Sequence, residues 1–248
     1  MTGRIPVAIM RNRMITTTPP DIPNHLIERL PHHEKESLIR NSTLADLVQG
    51  QTLCDPGKNF RDVYFPLTGF ISQVFTLGRR RPLEMGIIGE DGMVGATLAL
   101  GVTSAPMACH VRGSGQALRL GAAQLRKNLQ DSPVLLNTLQ LYLFVTIRQL
   151  ALNNACNRFH GISPRLARWL LVIHDHVHLD DFHLTHQFLA DMLGVQRSAV
   201  TIAAGTLQKR TIIDYSRGHI HILSRKGLEA ASCSCYAASR DVYARLLN

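Results

Sequence analysis

The 248-residue sequence predicts an α+β chain: an N-terminal antiparallel β-roll, one long central helix, and a C-terminal pair of short helices followed by a hairpin. Three observations carry this expectation. Short β-type runs broken by turn signals fill residues 44–120, residues 133–157 form one uninterrupted helical stretch, and residues 184–223 run helix, glycine turn, helix and hairpin. The expected boundaries are an arm over residues 1–25, the roll over 26–131, the long helix over 132–158 and the C-terminal unit over 159–248.

Residues 1–24 are basic (Arg4, Arg11, Arg13), then rich in threonine and proline, which predicts a mobile arm. Val7-Ala8-Ile9-Met10 is too short for the core of a secretion signal. A short helix is expected over residues 26–39. Within the roll the clearest strands are Asp62 to Phe65, Phe70 to Phe75 and Leu83 to Ile88. Asp55-Pro56-Gly57, Leu67-Thr68-Gly69 and Leu77-Gly78 punctuate them. Many short strands at this spacing point to a roll or jelly roll.

The long helix has apolar residues at Leu136, Leu139, Leu143, Ile147 and Leu150, with Leu141, Tyr142, Phe144 and Val145 around them. At 1.5 Å per residue it extends about 35–40 Å, more than a small domain needs for its own core. One face is expected on the roll and the other, through those five residues, on a second copy of the chain. Asn137, Gln140, Arg148 and Gln149 are expected to interrupt the apolar run below membrane length, so no membrane partner is expected. Ser163-Pro164 then reads as the start of a further helix, with Arg165-Leu166-Ala167-Arg168-Trp169-Leu170-Leu171 in it.

In the C-terminal unit Thr185 is a good N-cap, with Leu184 placed to staple onto Leu189. Ala190 is small where two helices must cross, and Gly194 tolerates the positive φ of a tight turn. Val195, Val200, Ala203 and Leu207 form the buried stripe of the second helix. Ile212 to Tyr215 and His219 to Leu223 form two strands, and Ser216-Arg217-Gly218 turns between them as a wing. This is the order of a winged helix-turn-helix, and the polar residues off the stripe are the candidates for double-stranded DNA. Arg197 suits a bidentate contact to guanine O6 and N7. Gln196, a weak N-cap, is expected to reach adenine or phosphate, Ser198 a base edge, and Thr201 a thymine methyl or the backbone. Thr185, His186, Lys209, Arg210 and Arg217 are assigned to phosphate. Lys+Arg 27 against Asp+Glu 18, a net charge of +9 and a pI near 9.8 suit a polyanionic partner.

Several features suggest other chemistry. The twelve histidines concentrate around 174–178, close to the His-x-His-x-Asp-His pattern of binuclear zinc hydrolases, but Asp181 stands where the last histidine belongs. A metal-dependent enzyme using residues 174–186 is therefore the alternative reading, and a polar connector between helices the preferred one. Five cysteines without framework spacing predict a reducing, cytoplasmic setting, in which Cys233-Ser234-Cys235 are idle thiols. No catalytic residues, metal or cofactor are expected. No P-loop, Rossmann or Gly-x-Ser-x-Gly signature occurs.

Val63-Tyr64-Phe65-Pro66-Leu67-Thr68-Gly69, Gly92-Met93-Val94-Gly95, Arg165 to Leu170 and residues 184–223 together resemble the Crp/Fnr superfamily of bacterial transcription regulators. The resemblance covers nearly the whole chain after residue 25. It implies a cyclic-nucleotide-binding-like roll, a dimerisation helix, and a homodimer acting on a two-fold symmetric operator. It also implies a roll that senses some small-molecule effector and a surface that can touch RNA polymerase. Cyclic-nucleotide members carry Gly-Glu for the ribose and Arg-Ser for the phosphate. With Gly95 at the glycine, Ala96 replaces the glutamate and Met107-Ala108 replace Arg-Ser; a second register recovers Gly89-Glu90. In either register residues 91–111 contain no Arg or Lys, so a buried phosphate would lack a charged donor. The roll is read as a degenerate effector domain. The cysteine cluster of iron–sulfur members is missing, since the first cysteine is Cys54, and Cys54, Cys109 and His110 are no more than isolated haem-ligand types.

Overall fold

A computed structural model describes residues 24–78 and 82–247, so the expected arm lies outside the described residues apart from Asn24 and His25. The single helix expected over residues 26–39 is two, α1 (His25–Glu28) and α2 (His32–Arg40), divided by Pro31, which cannot extend α1 and stands as the N-cap residue of α2. Asn24 is fully buried, caps α1, and donates to the carbonyls of Pro66 and Gly92. The fold therefore begins inside the segment expected to be an arm.

The roll is built from β1 (Thr43–Leu47), β2 (Thr52–Cys54), β3 (Asp62–Pro66), β4 (Phe70–Phe75), β5 (Leu83–Ile88), a 3-10 turn (Ala96–Leu100), β6 (Ala108–Gly113) and β7 (Gly115–Gly121). These form two antiparallel sheets, β1-β7-β3 and β2-β6-β4-β5. Leu47, Ile71, Ile88, Val94, Cys109, Val111 and Ala117 fill the space between them. Period-two alternation along β3 puts Tyr64 toward that interior and Val63 and Phe65 toward the helices outside. Gly95 enters the 3-10 turn at φ 97°, and a Cβ there would stand 2.5 Å from Val63 Cγ1, so no other residue fits without a shift.

After α3 (Ala122–Asp131) comes α4 (Pro133–Phe159), capped by the Ser132 hydroxyl, which accepts from Leu135 N–H. Leu135, Leu139, Tyr142 and Val145 hold α4 against the 3-10 turn and α3, in one core with Val63, Phe65, Leu118 and Leu120 of the β1-β7-β3 sheet. The polar residues of α4 do not break it below membrane length: its most apolar 18 residues average a hydropathy of 1.3, enough by composition for a span. Part of the helix packs on the roll, and 28% of that window is buried within the chain.

The remainder is α5 (Ile162–Val177), β8 (Asp181–His183), α6 (His186–Leu193), α7 (Arg197–Lys209), β9 (Ile213–Ser216), β10 (His219–Ile222), α8 (Arg225–Ala231) and α9 (Cys235–Leu247). α5 starts with Gly161 as N-cap residue, ahead of the expected Ser163-Pro164, and it absorbs His174 and His176 rather than leaving them in a connector. The short β8 strand pairs with β10 and makes the wing three-stranded. α9 starts in the C-terminal unit, where Tyr236 joins the core, then packs along α4 and buries Leu247 in the roll-side core.

The two halves share apolar core. Phe70, on β4 of the roll, is buried with Leu166, Trp169, Leu170, Leu189 and Val200 of the C-terminal unit. Phe70→Ala is expected to cost about 3–5 kcal/mol, the usual penalty for emptying a phenylalanine site. Urea unfolding followed by Trp169 fluorescence checks this, and a loss below about 1 kcal/mol would mean that the shared core contributes little.

Candidate nucleic-acid interface

The C-terminal unit is held by its interior, which leaves its polar residues outside. Thr185 caps α6 by accepting from Phe188 N–H at 3.1 Å, and Leu184 and Leu189 are buried together as the expected staple. Ala190 is fully buried. Gly194 adopts φ 64° and ends α6 with hydrogen bonds to the Ala190 and Asp191 carbonyls, which turns the chain into α7. Val200, Ala203, Ala204 and Leu207 are the buried face of α7.

The opposite face of α7 is open. Gln196 is its N-cap residue without a side-chain cap, and Gln196, Arg197, Ser198, Thr201, Lys209 and Arg210 are all exposed. The Thr201 hydroxyl bonds to the Arg197 carbonyl and to His186 Nδ1. Ile202 is 73% exposed on the same helix, an apolar residue that the buried stripe does not use. Beside α7, Ser216 and His219 pair across a two-residue turn in which Arg217 (φ 50°) and Gly218 (φ 88°) are both left-handed, the geometry of a type I′ hairpin. Arg217 is thereby carried, exposed, at the tip of the wing.

His186, expected on phosphate, is half-buried. Its ring stacks on Tyr215 of β9, centroids 4.4 Å apart and planes 7° from parallel, while Nδ1 meets Thr201 and Nε2 is buried without a partner. Burial first, and the nearby Arg197 charge second, push its pKa below the usual histidine value. The ring joins the start of α6, the open face of α7 and the wing.

The histidines of 174–178 do not converge on a point. His174 Nε2 pairs with Asp180 at 2.9 Å, His176 Nδ1 with Asp91 at 3.7 Å, and His178 Nε2 with Glu90 at 2.7 Å. The last two tie α5 and its end to the roll, and Glu90, the candidate ribose ligand of the second register, is engaged there. A different group does converge: Cys156 and His160 at the end of α4 meet Cys233 and Cys235 between α8 and α9, with all four ligand atoms within 4.8 Å of one another. Cys233 and Cys235, expected to be idle, are thus not isolated thiols. The readable signal was Cys-x-x-x-His at helical i, i+4 spacing together with Cys-x-Cys, some 70 residues apart and joined only by folding.

Comparison with known proteins agrees with this geometry. Residues 164–231 match the family model of the Crp-like helix-turn-helix domain. No curated protein matches the chain. Solved structures with the same fold include FixK2 from Bradyrhizobium japonicum (15% identity, 78% of this chain and 98% of that one, TM-score 0.65). The c-di-GMP responsive global regulator CLP of Xanthomonas campestris is similar at 16% identity, over 78% of this chain and 100% of that one, with a TM-score of 0.62. TTHB099, a CRP-family transcriptional regulator from Thermus thermophilus, is similar at 16% identity, over 76% and 96%, with a TM-score of 0.63. The chain therefore has the fold of the Crp/Fnr regulators, and residues 164–231 form a Crp-like helix-turn-helix domain, as the resemblance implies.

The His186 geometry gives a pH dependence with a definite sign. A histidine depressed in the folded state is neutral there and takes up its proton more readily when unfolded, so the stabilisation it gives is present above the unfolded pKa of about 6.5 and is lost as pH falls through the lower folded value. His186→Phe keeps a ring on Tyr215 and removes the titration. Urea midpoints at pH 7.5 and 5.5 should fall less with acid in this variant than in the wild type. An equal fall would show that His186 does not titrate in the unfolding transition.

Proposed function

We propose that the protein is a transcription regulator acting as a homodimer on a palindromic operator, with α7 in the major groove and the wing on the backbone. The observation that carries this reading is the open first turn of α7, where Arg197, Ser198 and Thr201 project from a helix whose other face is fully packed. Arg197 donates its fork to guanine, while Gln196 and Ser198 take neighbouring base or phosphate positions. Ile202, exposed next to Thr201, suits a thymine methyl. Thr185, Lys209, Arg210 and Arg217 hold phosphates. Such chemistry belongs in the cytoplasm with the DNA, and an RNA polymerase contact fits the same reading. A metal-dependent enzyme on 174–186 is not favoured, because His174, His176 and His178 are committed to separate carboxylates and His186 stacks on Tyr215.

Two copies meet through α4. Of the five residues expected at that interface, Leu139 is fully buried in the chain's own core and cannot contribute, while Leu136 and Leu143 are half-covered by it. The face left free runs through Phe144 (51% exposed), Ile147 (62% exposed) and Ala151, with Leu150 beside it. Two parallel faces of this kind would set the recognition helices one helical turn of DNA apart, about 34–36 Å. Ile147→Glu should give a monomer in sedimentation velocity with little change in unfolding midpoint. A variant that stays dimeric would remove α4 from the interface.

The roll is read as unable to hold a cyclic nucleotide. Ala96, Leu98 and Ala99 bury the 3-10 turn in the core, and the next cation, Arg112, is spent on Glu84 at 2.7 Å and on the Phe188 ring outside the roll. Titration calorimetry with cyclic AMP, cyclic GMP and cyclic di-GMP is expected to give no heat of binding. Micromolar binding of any of them would overturn the degenerate-effector reading.

DNA recognition is tested by a contrasting pair. Arg197→Ala should lose about 1–3 kcal/mol on the operator and much less on random duplex. Lys209→Ala, more than three turns further along α7, should weaken both alike and lower the salt slope by about one unit. Fluorescence anisotropy over a salt series separates them. Equal losses on both duplexes for Arg197→Ala would make Arg197 a phosphate clamp.

A further inference from the structure

We propose that Cys156, His160, Cys233 and Cys235 bind one zinc ion in a closed structural site that fastens α9 and the DNA-binding unit to the end of α4. Three observations support it. The donor set is the Cys3His combination of structural zinc sites, with four protein ligands and no position left for water or substrate. The geometry is close to that of a single tetrahedral ion. Zinc–sulfur bonds of about 2.3 Å and zinc–nitrogen bonds of about 2.0–2.1 Å give tetrahedral edges of roughly 3.8 Å between sulfurs and roughly 3.5 Å from sulfur to nitrogen. Cys156 Sγ lies 3.5 Å from Cys233 Sγ, and Cys235 Sγ lies 3.5 Å from His160 Nδ1. A disulfide would need sulfurs about 2.05 Å apart, and all three cysteines are free. A multi-iron core would need donors set further apart than the 4.8 Å that contains all four.

The third observation is charge. Arg165 and Arg168 are 5% and 3% exposed, and among the described residues neither has a carboxylate partner. Each leaves its Nε buried and unbonded, and their other contacts are to neutral groups: Asn157 and the Leu193 carbonyl for Arg165, Asn153 for Arg168. Buried cations without a counter-charge are costly. Three thiolates and a neutral imidazole on a divalent ion carry one net negative charge, next to these guanidiniums and at the N-terminal end of the 13-residue α9, where helix amides favour anions. On binding, the three thiols release their protons to solvent.

The test uses untagged full-length protein, purified under reducing conditions without chelator. Elemental analysis should give one zinc per chain and no comparable iron or copper. Cobalt exchanged into the wild type should show the visible d–d bands and thiolate charge transfer of a tetrahedral sulfur-rich site. Cys233→Ser and His160→Ala should lose the metal, while Cys54→Ser, in β2 of the roll, keeps it. Stripping zinc from the wild type with a chelator should lower the melting temperature, and added zinc should restore it. Negligible zinc with no uptake on titration, all five thiols reacting as free in the native protein, or iron or copper at one per chain would each overturn the proposal.

Discussion

The elbow between α4 and α5 is the constraint on which the rest of the molecule depends. Arg168 reaches back to Asn153 at 2.6 Å, and Arg165 reaches Asn157 at 2.5 Å while also holding the Leu193 carbonyl at the end of α6. One turn of α5 therefore ties the long helix to the turn that sets the pose of α7. The same helix supplies Leu166, Ala167, Trp169, Leu170, Leu171 and Ile173 to the core beneath α6 and α7. Breaking either arginine contact would leave a buried charge with one neutral partner fewer, a cost of several kcal/mol. The angle between α4 and α7 is thus fixed by buried polar contacts rather than by surface ones.

The second joint runs along the outer face of the roll. Phe70 enters the core of the DNA-binding unit, and Arg112 lies between Glu84 and the ring of Phe188 on α6, its carbon Cζ 5.2 Å from the ring centroid. Burial raises the Glu84 pKa, and the adjacent guanidinium opposes that rise, so the pair is a balanced one rather than a large source of stability. Around it His176–Asp91 and His178–Glu90 are polar contacts between the same two halves. These few side chains connect the roll to α5 and α6. That makes the roll a mechanical support for the DNA-binding unit even with no nucleotide in it.

Histidine and cysteine were the residues least readable in one dimension. Their chemistry depends on neighbours, and the neighbours come from other elements. His186 looked like a polar residue at a helix N-terminus, yet stacking on Tyr215 from the wing makes it part of the scaffold. Cys233 and Cys235 looked idle because their partners, Cys156 and His160, lie at the far end of another helix. Leu139 and Ile147 belonged to one apolar stripe in sequence, and folding buries the first and leaves the second 62% exposed. Hydrophobic spacing marks a helix as having something to bury; it does not say which face meets the chain's own roll.

The sequence by itself determined the element types and their order. Period-two runs with glycine turns placed β4 and β5 at their observed bounds, and the cap, small-residue and glycine positions at Thr185, Ala190 and Gly194 placed the helix-turn-helix. These are local constraints of backbone conformation and side-chain periodicity, which a linear pattern carries completely. Tertiary structure alone decided where α9 goes, which histidines are structural, which face of α4 stays free, and that three cysteines and a histidine share one point. Those outcomes depend on contacts between residues far apart in the chain, whose meeting is set by the packing of whole elements and leaves no local periodic trace.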